Sequence, residues 1–253
     1  MCSSDLLSTE DFLSWGWRFP FFTAFTINVV GLFARLRLVV THEYERELDA
    51  HELDPCNPKE LFQEQGLNVV IGAFAALASY ALFHLVTVFP LSWIALYSQQ
   101  SVAQFLSIEL VGALLCAAAM PLSGLMADRI GRRRTLGTLA MLIAAFSVVT
   151  PWLLGGGSAG QDAFILIGFV LLGLSYGQSA GSVTSNFLPK FRYTGAALTA
   201  DLAWLVGAAF APLIALGLSA RFGLVAVSIY LLTGAVCTLL ALRVNRSLYA
   251  VRD

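Results

Sequence analysis

The most densely charged stretch of this chain lies between two long apolar runs. Residues 124–134 read Gly-Leu-Met-Ala-Asp-Arg-Ile-Gly-Arg-Arg-Arg, which places one acid among four arginines. Carboxylate and guanidinium groups this close form charge-assisted contacts, and such contacts can hold one conformation and break in another. The stretch therefore predicts a conformational gate. Its candidate residues are Gly124, Asp128, Arg129, Gly131 and Arg132.

A simpler interpretation is that the arginines only fix the orientation of the chain in a membrane. We favour the gate because an orientation signal requires neither Asp128 nor Gly131. Asp128 is expected to cap or face the positive end of a neighbouring helix, with Arg129 and Arg132 bridging to it across the helix ends. Gly131 suits a tight turn in which other residues would be strained.

Ionisable and polar side chains also occur inside the apolar runs. An ionised carboxylate is costly in hydrocarbon, so it normally faces a cavity or a partner. Glu109 and Asp201 are expected about 9 Å below opposite membrane faces, at ~1.5 Å per helical residue, and the alternative is that both reach water at the interface. His84 could relay protons or bind an anion, or it could form a neutral hydrogen bond with a neighbouring helix. The candidates for a substrate or proton path are His84, Glu109, Gln178, Asn186 and Asp201.

The run that holds Gln178 and Asn186 also carries a stripe of glycines. Gly173, Gly177 and Gly181 recur every four residues. Small residues at this spacing let helix backbones approach closely in a membrane. We expect the glycines to pack against another helix and the polar side chains beside them to border a cavity.

The elements that must carry these residues are membrane-spanning helices. Of 253 residues, 58% are hydrophobic and 12% are charged, and the mean hydropathy is +0.76. The apolar residues form blocks of about 20, the length that crosses the ~30 Å hydrocarbon core as a helix. Seven such runs predict an all-α polytopic membrane protein. They cover about 17–38, 67–92, 103–125, 135–154, 163–188, 195–219 and 223–243.

The distribution of charge predicts the orientation, because cytoplasmic loops are enriched in lysine and arginine. With the amino terminus outside, all but two of the 15 basic residues are cytoplasmic. The two exceptions are Arg18 and Arg221. We therefore expect an outside amino terminus and an inside carboxyl terminus.

An odd number of spans, with one long polar segment after the first, suggests part of a larger repeat protein. We expect residues 1–38 to hold an external tail and the last helix of a first repeat, and residues 39–66 to be a cytoplasmic central linker. Residues 67–243 are expected to form a second, six-helix repeat. A cytoplasmic tail at 244–253 follows.

The sequence carries no motif for other kinds of chemistry. It has no phosphate loop, zinc-ligand spacing, hydrolase elbow or nucleotide fingerprint, so we expect no catalytic residues, cofactor, metal or enzyme activity. The basic residues lie at the predicted inner ends of helices, where they anchor the chain at the membrane surface. They do not form a nucleic-acid patch.

Three segments resemble a known family. The charged stretch resembles the signature loop of the major facilitator superfamily. Ser14–Pro20 resembles the entry to the sixth helix in the metabolite:proton symporter family, which includes shikimate, α-ketoglutarate and proline/betaine carriers. Leu188–Gly195, with Ala211–Ile214 further on, is similar to the tenth-to-eleventh helix region of that family. The similarity covers residues from about 12 to 240.

The resemblance implies a twelve-helix secondary transporter, of which this chain corresponds to the last seven helices and so looks truncated. It implies proton-coupled movement of a small organic acid or zwitterion across the inner membrane, with lipid, metabolite and proton as partners. Asn186 stands where the family usually has an acid, and Asp201 where a neutral or aromatic residue is more usual. Two alternatives stay open: a non-transporting remnant, and a half-transporter that pairs with itself or with a separate amino-terminal half.

Overall fold

The structure is a computed structural model that describes residues 8–37, 46, 56–98, 100–184 and 187–244. All regular secondary structure within these residues is helical. Seven segments are helical, long and apolar enough to cross a membrane. The prediction of an all-α polytopic membrane protein is therefore confirmed, whereas the orientation of its termini stays a prediction.

The first of two compact units, residues 1–52, holds one of these segments. Helix α1 (Thr9–Ser14) begins after Ser8, whose side chain accepts a hydrogen bond from the N–H of Asp11. A short 3-10 helix then leads into α2 (Phe19–Arg37). The apolar side chains of α2 are exposed, and its backbone groups are paired within the helix, as a hydrocarbon environment requires.

The second unit, residues 53–253, holds the other candidate spans. Its helices are α3 (Pro58–Thr87), α4 (Phe89–Tyr97), α5 (Val102–Ile130), α6 (Arg132–Gly155), α7 (Gly157–Thr184), α8 (Pro189–Gly207), α9 (Ala211–Phe222) and α10 (Leu224–Val244). Most of the predicted linker at 39–66 and almost all of the predicted tail at 244–253 lie outside the described residues. The predicted division into repeat, linker and tail stays a prediction.

Helix α3 begins at Pro58, well before the apolar run that predicted it. The side-chain oxygen of Asn57 accepts a hydrogen bond from the N–H of Lys59, and a proline in the first turn fits because its missing N–H would have no helical partner there. At Gln65 the backbone leaves helical geometry, with φ −132° and ψ 20°, and the helix kinks. The predicted boundary at 66–67 therefore marks a kink and a change of polarity within one helix.

Two of the spans consist of two helices each. Helices α3 and α4 are separated at Val88, just before Pro90, and α8 and α9 are separated by residues 208–210, just before Pro212. Each proline lies in the first turn of the second helix, where its missing N–H breaks no helical hydrogen bond. The two second halves, α4 and α9, pack against each other. The breaks thus separate a packed pair of short helices from the longer helices before them.

Helix backbones approach closely between α5 and α7. A Cβ atom on Gly173 would overlap the carbonyl oxygen of Cys116 and lie 2.9 Å from the Cβ of Ala119. A Cβ atom on Gly177 would lie 2.5 Å from Ser123 Oγ. The predicted close packing is therefore confirmed for these two glycines. The surroundings of Gly181 fall outside the described part of the chain.

The first and last long helices of the second unit are joined by a hydroxyl group. Thr238 on α10 is 2% exposed. Its Oγ1 accepts a hydrogen bond from the N–H of Ala78 at 3.0 Å and donates one to the carbonyl of Phe74 at 3.1 Å, both on α3. A buried hydroxyl needs such partners because leaving it unpaired is costly. The contact therefore fixes how α10 lies against α3.

Replacing Thr238 by valine, which keeps the shape and removes the hydroxyl, should destabilise the second unit. We expect a loss of about 1 kcal/mol, the scale of interhelical hydrogen bonds in membranes, and a fall of ~2–4 °C in melting temperature for a chain of this size. The measurement is thermal melting of the detergent-solubilised protein. Thr233→Val is the matched control, because Thr233 lies exposed on the same helix and donates to its own helix at Tyr230. Equal melting temperatures for the two variants would contradict this role.

Candidate functional site

An aromatic cluster lies where α3, α7 and α8 meet. The ring of Trp204 on α8 has its centroid 5.1 Å from that of Tyr80 and 5.3 Å from that of Phe83, both on α3. Its distance to His84 is 5.8 Å. Tyr176 on α7 lies 5.7 Å from Tyr80 and 5.9 Å from Phe83. The tilted and edge-to-face geometry of these pairs is the one that ring quadrupoles favour.

Asp201 adds a carboxylate to this cluster. It precedes Trp204 by one helical turn on α8, so the two side chains share one side of the helix. We call the set the aromatic face. Its members are Tyr80, Phe83, His84, Tyr176, Asp201 and Trp204.

The aromatic face is open on one side. Tyr80 is buried beneath it, the other rings are half-buried, and Asp201 is exposed. Helix α8 begins at Pro189 rather than near 195, so Asp201 lies about 18 Å along the helix at ~1.5 Å per residue. The first turn of α8 carries Lys190 and Arg192, so Asp201 still lies six residues, or about 9 Å, past the predicted start of the apolar run. A carboxylate at that depth requires water or protein on its open side.

His84 carries a ring nitrogen that is buried in this cluster. Its Nδ1 is shielded from solvent and has no hydrogen-bond partner among the described residues. The neutral hydrogen bond to a neighbouring helix that the sequence allowed is therefore not formed at this nitrogen. Nδ1 is therefore a buried polar atom without a partner among the described residues, which is costly.

Two of the other predicted path residues, Gln178 and Glu109, lie away from the aromatic face. Gln178 is buried, and its Nε2 donates to Ser123 Oγ on α5 at 3.1 Å. Two residues after Tyr176, it lies on the opposite side of α7 and packs two helices together. Glu109 is half-buried on α5, and no contact among the described residues joins it to the aromatic face. Asn186 lies outside the described residues.

A single residue forms the turn between the two helices of the charged stretch. Helix α5 continues to Ile130 and α6 begins at Arg132, so Gly131 alone forms the turn. Its φ of 86° and ψ of 145° lie where a side chain would be strained, and the predicted requirement for glycine is confirmed. Gly124 lies inside α5 with open space where a Cβ atom would be.

The charges of this stretch lie on the two helix ends. Asp128 and Arg129 are exposed on the last turn of α5, and Arg132 is exposed on the first turn of α6. The start of α6 has no side-chain cap, so the predicted capping by Asp128 is not found at this helix end. Arg129 lies at a helix carboxyl end, where the helix dipole favours a cation. Gating by these residues stays a prediction.

Arg133, which is not among the predicted gating residues, joins the charged stretch to α10. Its Nε and Nη2 both donate to the carbonyl oxygen of Leu242, at 3.0 Å and 2.7 Å. This carbonyl belongs to the last turn of α10, where backbone acceptors lack helical partners. A guanidinium group there satisfies the acceptor and complements the negative end of the helix dipole.

Replacing Arg133 by glutamine should loosen the end of α10. We expect a loss of about 1–2 kcal/mol, because hydrogen bonds to a charged group that is partly shielded contribute more than neutral ones. Arg134→Gln removes the same charge from the next residue, which is exposed, and serves as the control. Protease cleavage near the carboxyl terminus of the reconstituted protein should accelerate in the first variant only. Equal cleavage rates in both would contradict the assignment.

The aromatic residues of the site were not predicted from the sequence. Tyr80, Phe83 and Trp204 lie far apart in the chain and in apolar runs, where aromatic side chains are common. One signal was available, because Asp201 and Trp204 are three residues apart and must share one side of a helix. Because a carboxylate is costly in lipid, the side of the helix that carries Asp201 and Trp204 is predicted to face protein or water.

Comparison with known proteins gives the family context. Inner membrane metabolite transport protein YhjE of Escherichia coli is 32% identical over 246 residues, which cover 94% of this chain and 55% of that protein. The shikimate transporter of Escherichia coli is 29% identical over 245 residues, 91% of this chain and 54% of the transporter. The proline/betaine transporter of Salmonella typhimurium is 28% identical over 221 residues, 80% and 43% of the two chains.

The chain is similar to proteins named as metabolite, shikimate and proline/betaine transporters. The resemblance drawn from its motifs is thereby confirmed, and its relatives are transporters rather than enzymes. The chain spans about half the length of the curated relatives it matches. No family model matches it, and no solved structure matches it.

Proposed function

We propose that this chain forms part of a secondary transporter that moves a small organic acid or zwitterion across the inner membrane, coupled to protons. The observation that carries the proposal is the aromatic face. It combines a carboxylate, an imidazole and half-buried rings on three helices at membrane depth. Polar groups of this kind inside a membrane commonly line a substrate or ion path.

The aromatic face supplies one wall of that path. Its open side requires a polar or protein surface opposite Asp201, and the matched relatives are about twice as long as this chain. Repeat transporters bind substrate near the bilayer midplane between their halves. We infer that the opposite wall comes from helices equivalent to the other half of these relatives.

Proton coupling rests on the ionisable residues within the spans. Asp201 and His84 belong to the aromatic face, whereas Glu109 lies apart on α5. A carboxylate beside the substrate wall can bind a proton when substrate enters and release it on the other side. We propose Asp201 as the first residue to test for this role and Glu109 as the second.

The test is uptake of labelled shikimate, α-ketoglutarate and proline betaine by cells that express this chain, with and without a protonophore. A carboxyl-terminal tag reports membrane expression. We expect protonophore-sensitive uptake above the empty vector, and loss of uptake in Asp128→Asn if the charged stretch gates transport. Arg134→Gln, at an exposed position of the same stretch, controls for loss of charge alone.

A second candidate function is a half-transporter that works only with a separate amino-terminal half. The coverage of 43–55% of these three relatives favours it. In that case the inserted chain alone shows no uptake, and co-expression of the first helices of a relative restores it. Absence of uptake in both arms would favour a non-transporting remnant.

The proposed orientation has its own test. Alkaline phosphatase is active only outside the cytoplasm, where its disulfides form. With the amino terminus outside, a fusion after Gly157 should be active and a fusion after Arg134 inactive, because the two positions lie at opposite ends of α6. A carboxyl-terminal fusion should also be inactive. The reverse pattern would overturn the orientation.

A further inference from the structure

The first two turns of α3 form a segment that is distinct from the span that follows. Residues 58–64 precede the kink at Gln65, where the backbone leaves helical geometry. Within this segment Leu61 is 0% exposed, Glu60 is half-buried, and the other five side chains are exposed. A segment held by so little buried surface opens at a lower free energy than the core does. We call residues 58–64 the latch segment.

Leu61 holds the latch segment in a small apolar cluster at the start of α8. Its partners are Val69 on α3 and Phe187 and Phe191, which lie on either side of the first residue of α8. A Cβ atom on Gly195 would lie 2.7 Å from the ring of Phe187, so this ring rests directly on the backbone of α8. The cluster therefore joins the latch segment to α8 at one end of the unit.

Polar contacts around the latch segment reach the same helix. The carboxylate of Glu60 forms an ion pair with Nζ of Lys190. The N–H of Cys56, just before the segment, donates to Thr194 Oγ1 at 3.0 Å. Ion pairs between partly exposed side chains contribute little to stability, so this one breaks and re-forms readily. The contacts fix the docked position of the segment without making it permanent.

Beyond the kink, α3 and α8 meet along a seam of small residues. A Cβ atom on Gly72 would lie 2.8 Å from Cγ2 of Thr199, which is 0% exposed. Ala203 is also 0% exposed, and it belongs to the same cluster as Tyr80 of the aromatic face. The seam thus runs from the latch segment to the aromatic face, and the latch segment covers its outer end.

We propose that the latch segment swings about Gln65 and opens this end of the seam between α3 and α8. When it is docked, Leu61 and the ion pair of Glu60 hold the start of α8 against α3. When it is released, Cys56 and the apolar cluster meet water. Hinges of this kind are a few residues at the end of an element that absorb the change in backbone angles. As a step of transport the latch rests on the proposed function, whereas its release is measured on the chain alone.

The test is the rate at which iodoacetamide, a small uncharged reagent, alkylates Cys56 in the full chain in lipid nanodiscs. Peptide mass spectrometry follows this thiol separately from the other cysteines. Leu61→Ala should raise the rate at least about tenfold, because it truncates the fully buried side chain that holds the segment. Phe62→Ala is the matched control, since Phe62 is the next residue and is 49% exposed. Its rate should equal that of the unchanged chain.

A charge exchange tests the ion pair. Lys190→Glu should raise the rate about two- to fivefold, the scale of an exposed ion pair, and adding Glu60→Lys should restore it. A negative charge beside a thiol by itself slows alkylation, so a faster reaction reports release. Hydrogen exchange then separates release from a general loss of stability. In Leu61→Ala it should accelerate at the latch segment and at the start of α8, but not in α10.

Three outcomes would overturn the inference. Equal alkylation rates in Leu61→Ala and Phe62→Ala would mean that Leu61 does not hold the segment in place. A rate in the unchanged chain as fast as in the denatured chain would mean that the docked segment does not protect Cys56. Faster hydrogen exchange throughout the unit would mean that Leu61 supports the whole fold. None of these measurements uses a substrate, so the uptake experiment decides the transporter proposal separately.

Discussion

Gly173→Ala should lower the melting temperature of this protein markedly, because the added methyl group meets the backbone of a neighbouring helix. The new Cβ would overlap the backbone carbonyl of Cys116, which cannot move aside as a flexible side chain could. Helices α5 and α7 would have to separate, at a cost of about 1–3 kcal/mol. We expect a fall of about 2–12 °C, since 1 kcal/mol corresponds to ~2–4 °C at this size.

The matched control for this prediction is Gly217→Ala on α9. A Cβ atom there meets nothing within 4 Å. Alanine forms helix better than glycine by about 1 kcal/mol, so this variant should melt at the same or a higher temperature. Melting is followed by fluorescence-detected gel filtration after heating. If both variants melt alike, the close approach of α5 and α7 does not support the fold.

Gly131→Ala is expected to be the second large effect, for a different reason. Nothing lies within 4 Å of its Cβ position, so the cost is confined to the backbone. At φ 86° and ψ 145° a residue other than glycine is strained by about 1–3 kcal/mol. Since Gly131 is the whole turn, the strain cannot be shared with a neighbouring loop residue.

The control for the turn is Gly124→Ala, which lies in helical backbone of α5 with equally open surroundings. We expect Gly131→Ala to reduce the yield of folded protein and its melting temperature, and Gly124→Ala to preserve both. Equal yield and melting temperature for Gly131→Ala and Gly124→Ala would argue against backbone strain as the cause.

The fold followed from the sequence because hydrocarbon imposes a simple rule. A span must be helical, apolar and about 20 residues long, and the seven runs met these conditions. The helix ends were less predictable, since Asn57 and Pro58 start α3 in polar sequence and Gln65 places a kink where the apolar run begins. The break at 208–210 lies inside an apolar run that was read as one helix.

The site was only partly predictable, because sequence shows which groups are costly in lipid but not which of them meet. Asp201 and His84 could be predicted because ionisable side chains are costly in lipid. Ring contacts then bring His84 next to Trp204. Gln178 met the same criterion, yet it pairs with Ser123 between two helices. Whether Gln178 faces a cavity or another helix depends on how α7 packs, and no local sequence pattern encodes that packing.

The contacts of α10 have a consequence for the order in which the protein is made. Thr238 joins α10 to α3, and the carbonyl of Leu242 receives Arg133 from the start of α6. A ribosome delivers α3 and α6 to the membrane before it has synthesised either contact residue. During that interval neither the hydrogen bond between Ala78 and Thr238 nor the one between Arg133 and Leu242 can form. Final assembly of the unit is therefore an event that follows translation of its last span.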